Sequence, residues 1–381
     1  MYFKLIIGLF LVAVTVLPAC NSRTEILPNG KQVSVGLIAR GVPGDGADSH
    51  LASEAMIWFL SKEPYLPDGT EMLLVVEHDH DSAVGLEAAM RKFAKQAEIV
   101  AVVVFSESDL ILQKLALFDE LALPVLAAMA TNPEVVRNNR YISQLSFDDE
   151  FQGAVAALYV REELELKRVT LFSKPASAHS SYLAQEFVRR FELVGGKILA
   201  EGPMATNPAE LRRQLQQARA AQTQLLFLTQ GYEGALAVLQ HLHDMDWHPV
   251  VMVRDGILAY VTTNHPDSLD IFEGVLATDV ATPGMYLPRR GRRLIQGFDM
   301  FAGELNTYSV LAIEAADLLQ QTLADCENDL SRPCFQKHLR RTGVFMGVLG
   351  HIGFSDSGTA QRPVVIHKIH RGKRVFVARV Y

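Results

Sequence analysis

The sequence predicts an α/β protein made of two doubly wound, Rossmann-like blocks in tandem. First, short continuous apolar runs alternate with amphipathic helical segments from Lys31 onward, a pattern typical of parallel strands covered on both faces by helices. Second, the segment Tyr141–Ser146 interrupts this alternation, which then restarts. Third, a chain of 381 residues is long enough for about two domains.

The first block contains four predicted strands with helices between them. The strands are VSVGLIA (Val33–Ala39), MLLVVEHD, IVAVVVF (Ile99–Phe105) and PVLAAM. The helices are SHLASEAMIWFLSKE, AVGLEAAMRKFAKQ and DLILQKLALFDELA. Strands that alternate with helices in this way predict βαβ units and a parallel sheet.

The second block repeats the pattern after the helix DDEFQGAVAALYVREEL. Its strands are RVTLFS, KILAEGPM, QLLFLTQ and PVVMVRD, with the helices SYLAQEFVRRFELVG, AELRRQLQQARAA and EGALAVLQHLHDMD between them. The pattern changes near Gly274–Pro283, and a long helix is predicted at about Tyr308–Leu323. From Gly350 the chain is predicted to form strands, with SDSG and HRGK as turns between them.

The N-terminus resembles an export signal that ends in a modifiable cysteine. Lys4 precedes a mostly apolar run, Leu5–Leu17, which is shorter than the roughly 20 residues of a membrane span. The residues Leu17-Pro18-Ala19-Cys20 resemble the bacterial lipobox, whose cysteine receives a diacylglycerol and becomes the new N-terminus. We therefore expect a signal peptide at 1–19, a lipid on Cys20 and a linker at 20–32. The alternative is an ordinary secretory peptide with a chance cysteine, and the choice between inner and outer membrane stays open.

Composition and the remaining cysteines bear on the partners, the disulfide bonding and the metal binding of the protein. A net charge of -7 argues against a nucleic-acid partner. Cys326 and Cys334 flank a polar loop in a chain predicted to be exported, which predicts a local disulfide; free buried thiols are the alternative. The residues His78–Asp81 are of metal-ligand type, but adjacent residues of an extended segment point in opposite directions, so at most half of them could converge on one ion. We therefore expect a solvated strand end there. We expect neither a metal nor a cofactor.

Candidate binding residues lie where the predicted strands end. The sequence has no GxSxG, P-loop, HExxH or post-strand GxGxxG motif, so an enzyme is not expected. In open α/β sheets ligands bind outside the carboxyl ends of the strands. Hydroxyl groups there can hold a carboxylate, an acidic side chain can hold an ammonium, and a ring can cover apolar groups. The candidates are Ser106, Ser108, Thr131, Tyr232 and Asp255, although the first three are also plausible helix N-caps.

Several stretches follow one another in a characteristic order and spacing over most of Val33–Tyr381: VSVGLIA, LLVVEHDHDSAVGLEAAMRKF, LPVLAAMATNPEV, SFDDEFQGAVAALYV, QGYEGALAVLQ, RDGI and GHIGFSDSGTAQRPVVIHKIHRGK. In these stretches the sequence resembles the type I periplasmic binding proteins of the branched-chain amino acid (Leu/Ile/Val) and amide-binding group, which are the solute receptors of ABC importers.

The resemblance implies two lobes that are joined by three crossovers and close over a ligand. Lobe I would comprise 33–147 plus 281–347, and lobe II 148–280 plus 348–381. The crossovers would lie near Ser146–Asp149, Thr278–Pro283 and Phe345–Gly353. The implied ligand contacts are Ser106 and Ser108 for a carboxylate, Ala130 and Thr131 as a backbone-and-hydroxyl loop, Tyr232 as the aromatic residue, and Asp255 as the ammonium partner.

Several cleft positions depart from the family pattern. Glu107 interrupts the carboxylate-binding loop and would repel a ligand carboxylate, while Arg40 and Asp48 stand where small hydroxyl-rich residues are usual. The segment SKPASAHSSY lacks the usual acidic/Tyr-Gly pattern. An amino acid, a short amide or a small organic acid therefore all stay possible as the ligand.

The leading hypothesis is an extracytoplasmic, lipid-anchored solute-binding protein of an ABC importer in the bacterial periplasm. It would be a monomer that closes on a small polar ligand by hinge motion and delivers it to ABC permease subunits. The alternative is a regulatory or sensory lipoprotein that has kept the fold but binds a protein partner.

Overall fold

A computed structural model describes residues 28–42, 47–298, 306–340 and 344–381 of the chain. The predicted signal peptide and Cys20 lie outside these residues. Among the described residues, no helix is both long enough and apolar enough to span a membrane. The elements below are numbered in chain order.

Lobe I is built on a five-stranded parallel sheet in the order β2-β1-β3-β4-β5. The strands β1 and β3 are almost entirely buried, which agrees with their continuous apolar sequences. The strands are β1 Gln32–Ala39, β2 Glu71–His78, β3 Ile99–Val104, β4 Val125–Ala127 and β5 Ile142–Gln144. The helices between them are α1 Ala47–Lys62, α2 Ala83–Ala94, α3 Ser108–Leu112, α4 Leu115–Leu121 and α5 Glu134–Arg137.

Lobe II is built on a seven-stranded sheet in the order β15-β14-β10-β9-β8-β6-β7. Five strands are parallel, and the C-terminal hairpin β14–β15 adds antiparallel to β10. The strands are β6 Arg168–Ser173, β7 Lys197–Pro203, β8 Leu225–Leu228, β9 Val250–Val253, β10 Leu276–Asp279, β14 Val364–His370 and β15 Lys373–Val380. The helices are α6 Asp149–Leu158, continued by a π-turn at Tyr159–Glu163, then α7 Ala178–Leu193, α8 Pro208–Ala220, α9 Tyr232–Asp244 and α10 Ile257–Asn264, followed by a 3₁₀ helix at Pro266–Phe272.

The segment between β10 and β14 packs mainly on lobe I. It contains α11 Arg289–Ile295, α12 Thr307–Ala324 and α13 Arg332–Leu339, and a small antiparallel sheet of β11 Val344–Met346, β12 His351–Phe354 and β13 Ala360–Gln361. Helix α12 is the predicted long helix, and it packs against α1. Its first turn is closed by Asn306, whose side chain accepts from the N–H of Ser309 while the Ser309 hydroxyl accepts from the Asn306 N–H. This capping box fixes the start of a helix that is buried along most of its length.

The fold class of two doubly wound lobes is therefore confirmed, whereas the residue boundaries of the lobes stay a prediction.

Cys326 and Cys334 are joined in a disulfide between the end of α12 and the first turn of α13. His338 places a ring nitrogen within 4.8 Å of both sulfur atoms. Because both sulfur atoms are used in the bond, this group is not a cation site.

Candidate functional site

A cavity of about 260 Å³ lies between the two lobes, at the carboxyl ends of both parallel sheets. Lobe I lines it with residues that follow β1, β3 and β4, and lobe II with residues that follow β6, β8 and β9. This is the position at which ligands bind in open α/β sheets. Three predicted site residues are in its wall: Ser108, Thr131 and Tyr232.

Ser108 connects the two loops of lobe I that face the cavity. Its Oγ accepts hydrogen bonds from the backbone N–H groups of Thr131 and Asn132, each at 3.1 Å. These two bonds use the acceptor capacity of the hydroxyl and leave its proton to donate. Ser108 is thus placed to donate to an anionic group in the cavity.

Ser106 is not among the residues that line the cavity. Its hydroxyl donates to Asp79 Oδ2 at 2.6 Å, and Asp79 Oδ1 accepts from the N–H groups of Gly41 (2.8 Å) and Asp81 (2.9 Å). Asp79 is fully buried, so the expectation that His78–Asp81 form a solvated strand end is wrong for this residue. The Asp79 carboxylate instead joins the loops that follow β1, β2 and β3.

Ala130 is also absent from the cavity wall. It is buried, and its carbonyl accepts a hydrogen bond from Gln144 Nε2 at 2.6 Å. The Ala130 backbone therefore serves to fix the loop that carries Thr131.

Glu107 lines the cavity but is already paired. Its Oε1 lies 2.8 Å from Arg40 Nη1, and Arg40 Nε lies 2.9 Å from Asp81 Oδ1. Burial opposes the charge of Arg40, but Tyr308, Glu107 and Asp81 together raise its pKa above the ordinary value for arginine. The sequence-based expectation that Glu107 repels a carboxylate did not include this compensation by Arg40.

His179 is a site residue that the sequence analysis did not single out. It lies in the first turn of α7 and lines the cavity. Its Nδ1 lies 3.0 Å from Asp149 Oδ2 and 2.9 Å from Thr131 Oγ1, and its Nε2 lies 3.6 Å from Asp255 Oδ1. Burial alone would lower the pKa of His179, but the two carboxylates raise it above the ordinary value. An available signal was its position in SKPASAHSSY, directly after β6.

Asp255 follows β9 but is not part of the cavity wall. It is buried, and its Oδ1 accepts from Gln152 Nε2 at 2.9 Å. The same Gln152 amide donates to Thr278 Oγ1 at 2.7 Å. Asp255 is therefore held by α6 and by His179.

An aromatic group forms the apolar side of the cavity in lobe II. The ring of Tyr232 stacks on His265 with centroids 4.2 Å apart and an interplanar angle of 9°, and it lies 5.5 Å from Tyr260. The hydroxyl groups of Tyr232 and Ser268 are 3.1 Å apart. On the opposite side Phe105 closes the wall from lobe I. These rings can cover an apolar ligand body.

The lobes contact each other directly beside the cavity. Asp109 Oδ1 from lobe I accepts from the N–H groups of Ala178 (2.7 Å) and His179 (3.3 Å) at the start of α7. Asn132 Nδ2 donates to the carbonyl of Ala178 at 3.1 Å. The two lobes are therefore in direct contact beside the cavity in this conformation.

The fold and the cavity define a bilobal protein of the small-molecule binding type. The model of one protein family, described as periplasmic binding protein, matches residues 67–374. The chain belongs to this family. No curated protein matches the sequence.

Solved structures of the same fold include substrate-binding and solute-binding proteins of transporters. A leucine-binding protein from Thermotoga maritima has 20% identity and a TM-score of 0.79, with 92% of this chain and 98% of that chain covered. A branched-chain amino acid transporter substrate-binding protein from Streptococcus pneumoniae, in complex with isoleucine, has 16% identity and a TM-score of 0.80 (92% and 99% covered). An ABC transporter solute-binding protein from Rhodopseudomonas palustris, in complex with 3,4-dihydroxybenzoic acid, has 13% identity and a TM-score of 0.76 (91% and 97% covered).

Proposed function

We propose that this protein is the extracytoplasmic solute receptor of an ABC importer and binds a small carboxylate-bearing ligand between its lobes. The observation that carries the proposal is the interlobe cavity, which combines the Ser108 hydroxyl with an aromatic wall at Tyr232. Polar groups that converge on a space with an aromatic wall are typical of small-molecule sites.

The N termini of α9 and α10 contribute further donors to the same cavity. The residue that precedes each of these helices lines it, namely Gly231 and Gly256. The partial positive charge at a helix N-terminus favours an anionic group nearby. The ligand carboxylate would therefore be bound from both lobes, which supports closure around it.

Transport would require the lobes to separate and close again around a hinge. Separation would break the contacts of lobe I with the start of α7, which include those of Asp109 and Asn132 with Ala178 and that of Thr131 with His179. The importer permease would then recognise the closed form. Lipidation of Cys20 would keep this monomeric receptor on a membrane.

A thermal-shift screen against amino acids, amides and small organic acids tests the proposal. A ligand that binds only the folded state stabilises it by RT ln(1 + [L]/Kd), about 2.7 kcal/mol at a hundredfold excess over Kd. One clear hit among these compounds, confirmed by calorimetry, supports a solute receptor. Silence across the whole panel contradicts it and favours a lipoprotein that binds a protein partner.

A further inference from the structure

We propose that His179 is a built-in cation that takes the place of a ligand ammonium, so that the cleft binds carboxylates lacking an α-amino group. The inference rests on the proposed function and narrows its ligand class. Its basis is the position of His179 relative to Asp149 and Asp255.

The imidazole of His179 lies between two buried carboxylates. Nδ1 lies 3.0 Å from Asp149 Oδ2, and Nε2 lies 3.6 Å from Asp255 Oδ1. Asp149 comes from the N-terminus of α6 and Asp255 from the loop after β9, so the charge of the histidine is shared between two elements. Leaving either carboxylate buried without a cation would be costly, and His179 supplies that cation from the protein itself.

His179 also stands between Asp255 and the ligand space. His179 lines the cavity, whereas Asp255 is not among its lining residues. Asp255 Oδ1 already accepts from Gln152 Nε2. A ligand ammonium would consequently face a positively charged ring rather than a carboxylate, and it would lose its hydration without gaining a partner.

The carboxylates that lobe I contributes to the cavity wall also have partners. Glu107 is paired with Arg40, and Asp109 accepts the two N–H groups at the start of α7. In contrast, the ammonium of Lys174 has no carboxylate partner within the described part of the chain. The remaining acidic side chain of the wall is Glu233, which is exposed. The polar part of the cavity wall therefore presents mainly hydrogen-bond donors and cations to a ligand.

The rest of the wall suits an apolar or aromatic body. Phe105, Met129 and Ile257 line it together with Tyr232 and Tyr260. Rings at these positions can stack on a planar ligand or cover a branched alkyl chain. The ligand class is thus a small carboxylic acid with an apolar or aromatic body.

Matched pairs of compounds test this directly, because each pair differs only in the α-amino group. The exported, processed protein is titrated by calorimetry with 4-methylpentanoate against leucine, and with 3-phenylpropanoate against phenylalanine. We expect the acid of at least one pair to bind at least about tenfold more tightly than its amino acid. If neither acid binds more tightly than its amino acid, while any of the four compounds binds, the inference is overturned but the proposed function stands. Failure of all four compounds and of the wider solute panel overturns both.

The variant His179→Asn tests whether the charge of His179, rather than the shape of the site, sets the preference for the acid. It removes the charge beside Asp255, so the preference for the acid over the amino acid should fall at least about tenfold. The matched control is His370→Asn, because His370 also lies beside a carboxylate, Glu273 at 3.0 Å, but on the exposed surface. An unchanged preference in a folded His179→Asn protein overturns the inference.

Asp255→Asn provides a second variant if the first does not fold. It keeps the shape of the residue and its contact with Gln152. Acid binding should change by less than about threefold, since the ligand does not contact Asp255. Loss of amino-acid binding in this variant would instead show that Asp255 holds a ligand ammonium.

Discussion

The guanidinium of Arg362 forms an ion pair with the carboxylate of Glu314, and both side chains are buried. Glu314 Oε1 also accepts from the N–H of Leu349 at 3.1 Å, and Arg362 Nη1 donates to the carbonyl of Leu145 at 3.0 Å. The pair therefore joins α12, the end of lobe I and the segments that lead into the C-terminal hairpin. Leu349 lies in the crossover predicted at Phe345–Gly353, and Leu145 directly precedes the one predicted at Ser146–Asp149.

Arg362→Met should destabilise the protein by about 3–5 kcal/mol, because it leaves the buried Glu314 carboxylate without a counter-charge. Urea unfolding at neutral pH measures the loss. The double variant Glu314→Gln/Arg362→Met should recover much of it, since no buried charge then stays unpaired. The control is Arg213→Met, whose exposed pair with Glu210 is screened by solvent and should contribute little to stability. A similarly small effect at Arg362 would contradict the role assigned to the pair.

Asp279 gives the fold a pH-dependent stability. It lies at the end of β10, and burial raises its pKa to about 6 despite the hydrogen bond from Thr307. Its Oδ2 faces Nε2 of His367 at 3.7 Å, and burial together with the charge of Arg374 lowers the pKa of that histidine to about 3. The histidine is therefore neutral at pH 7 and does not compensate the carboxylate.

Asp279→Asn should remove the loss of stability that the wild type undergoes between pH 4 and pH 7. A raised carboxyl pKa means that the folded state holds its proton more tightly, so the wild type loses stability as the pH rises from about 4 to about 6. The difference corresponds to roughly 3 kcal/mol and is absent in the amide variant. Unfolding curves of both proteins between pH 4 and pH 7 measure it. Parallel curves for the two proteins would show that Asp279 is not the titrating group.

The sequence predicted the fold because the strands are nearly continuous apolar runs, as at Val33–Ala39 and Ile99–Phe105. It placed Ser108, Thr131 and Tyr232 in the cavity wall because residues after parallel strands share one sheet edge. It could not determine the direction of the Ser106 side chain, which depends on a contact with Asp79 from the loop after β2.

The role of His179 was hidden for the same reason. The residue lies on a helix of ordinary amphipathic pattern, and its function follows from two carboxylates that approach it only after folding. Glu107 illustrates the converse case. Its charge was evident in the sequence, but its compensation by Arg40 depends on the packing of two separate loops.

Ser106→Ala and Ser108→Ala should have different consequences for binding. Ser106→Ala leaves Asp79 Oδ2 without its hydrogen bond and should cost about 1–3 kcal/mol of stability. Its effect on ligand affinity should stay below about threefold, because Ser106 does not line the cavity. Ser108→Ala should reduce both stability and affinity, since it removes the acceptor for two N–H groups and a donor to the ligand. Equal losses of affinity in the two variants would contradict this division of roles.

Cys20→Ala should release the protein from the membrane, because the lipid on Cys20 is the proposed anchor. Each buried CH₂ of an acyl chain contributes about 0.8 kcal/mol, and two or more chains are needed for stable anchoring. Among the described residues no helix could span a membrane in place of the lipid. Membrane and soluble fractions of the cells are compared by immunoblot after a high-salt wash, and intact mass of the wild type checks for the lipid and for cleavage before Cys20. The control is Cys326→Ser, which opens the disulfide but should leave the protein in the membrane fraction. A Cys20→Ala protein that withstands the wash, together with a wild type whose mass shows neither the lipid nor the cleavage, would show that an uncleaved N-terminal segment, not a lipid, holds the chain.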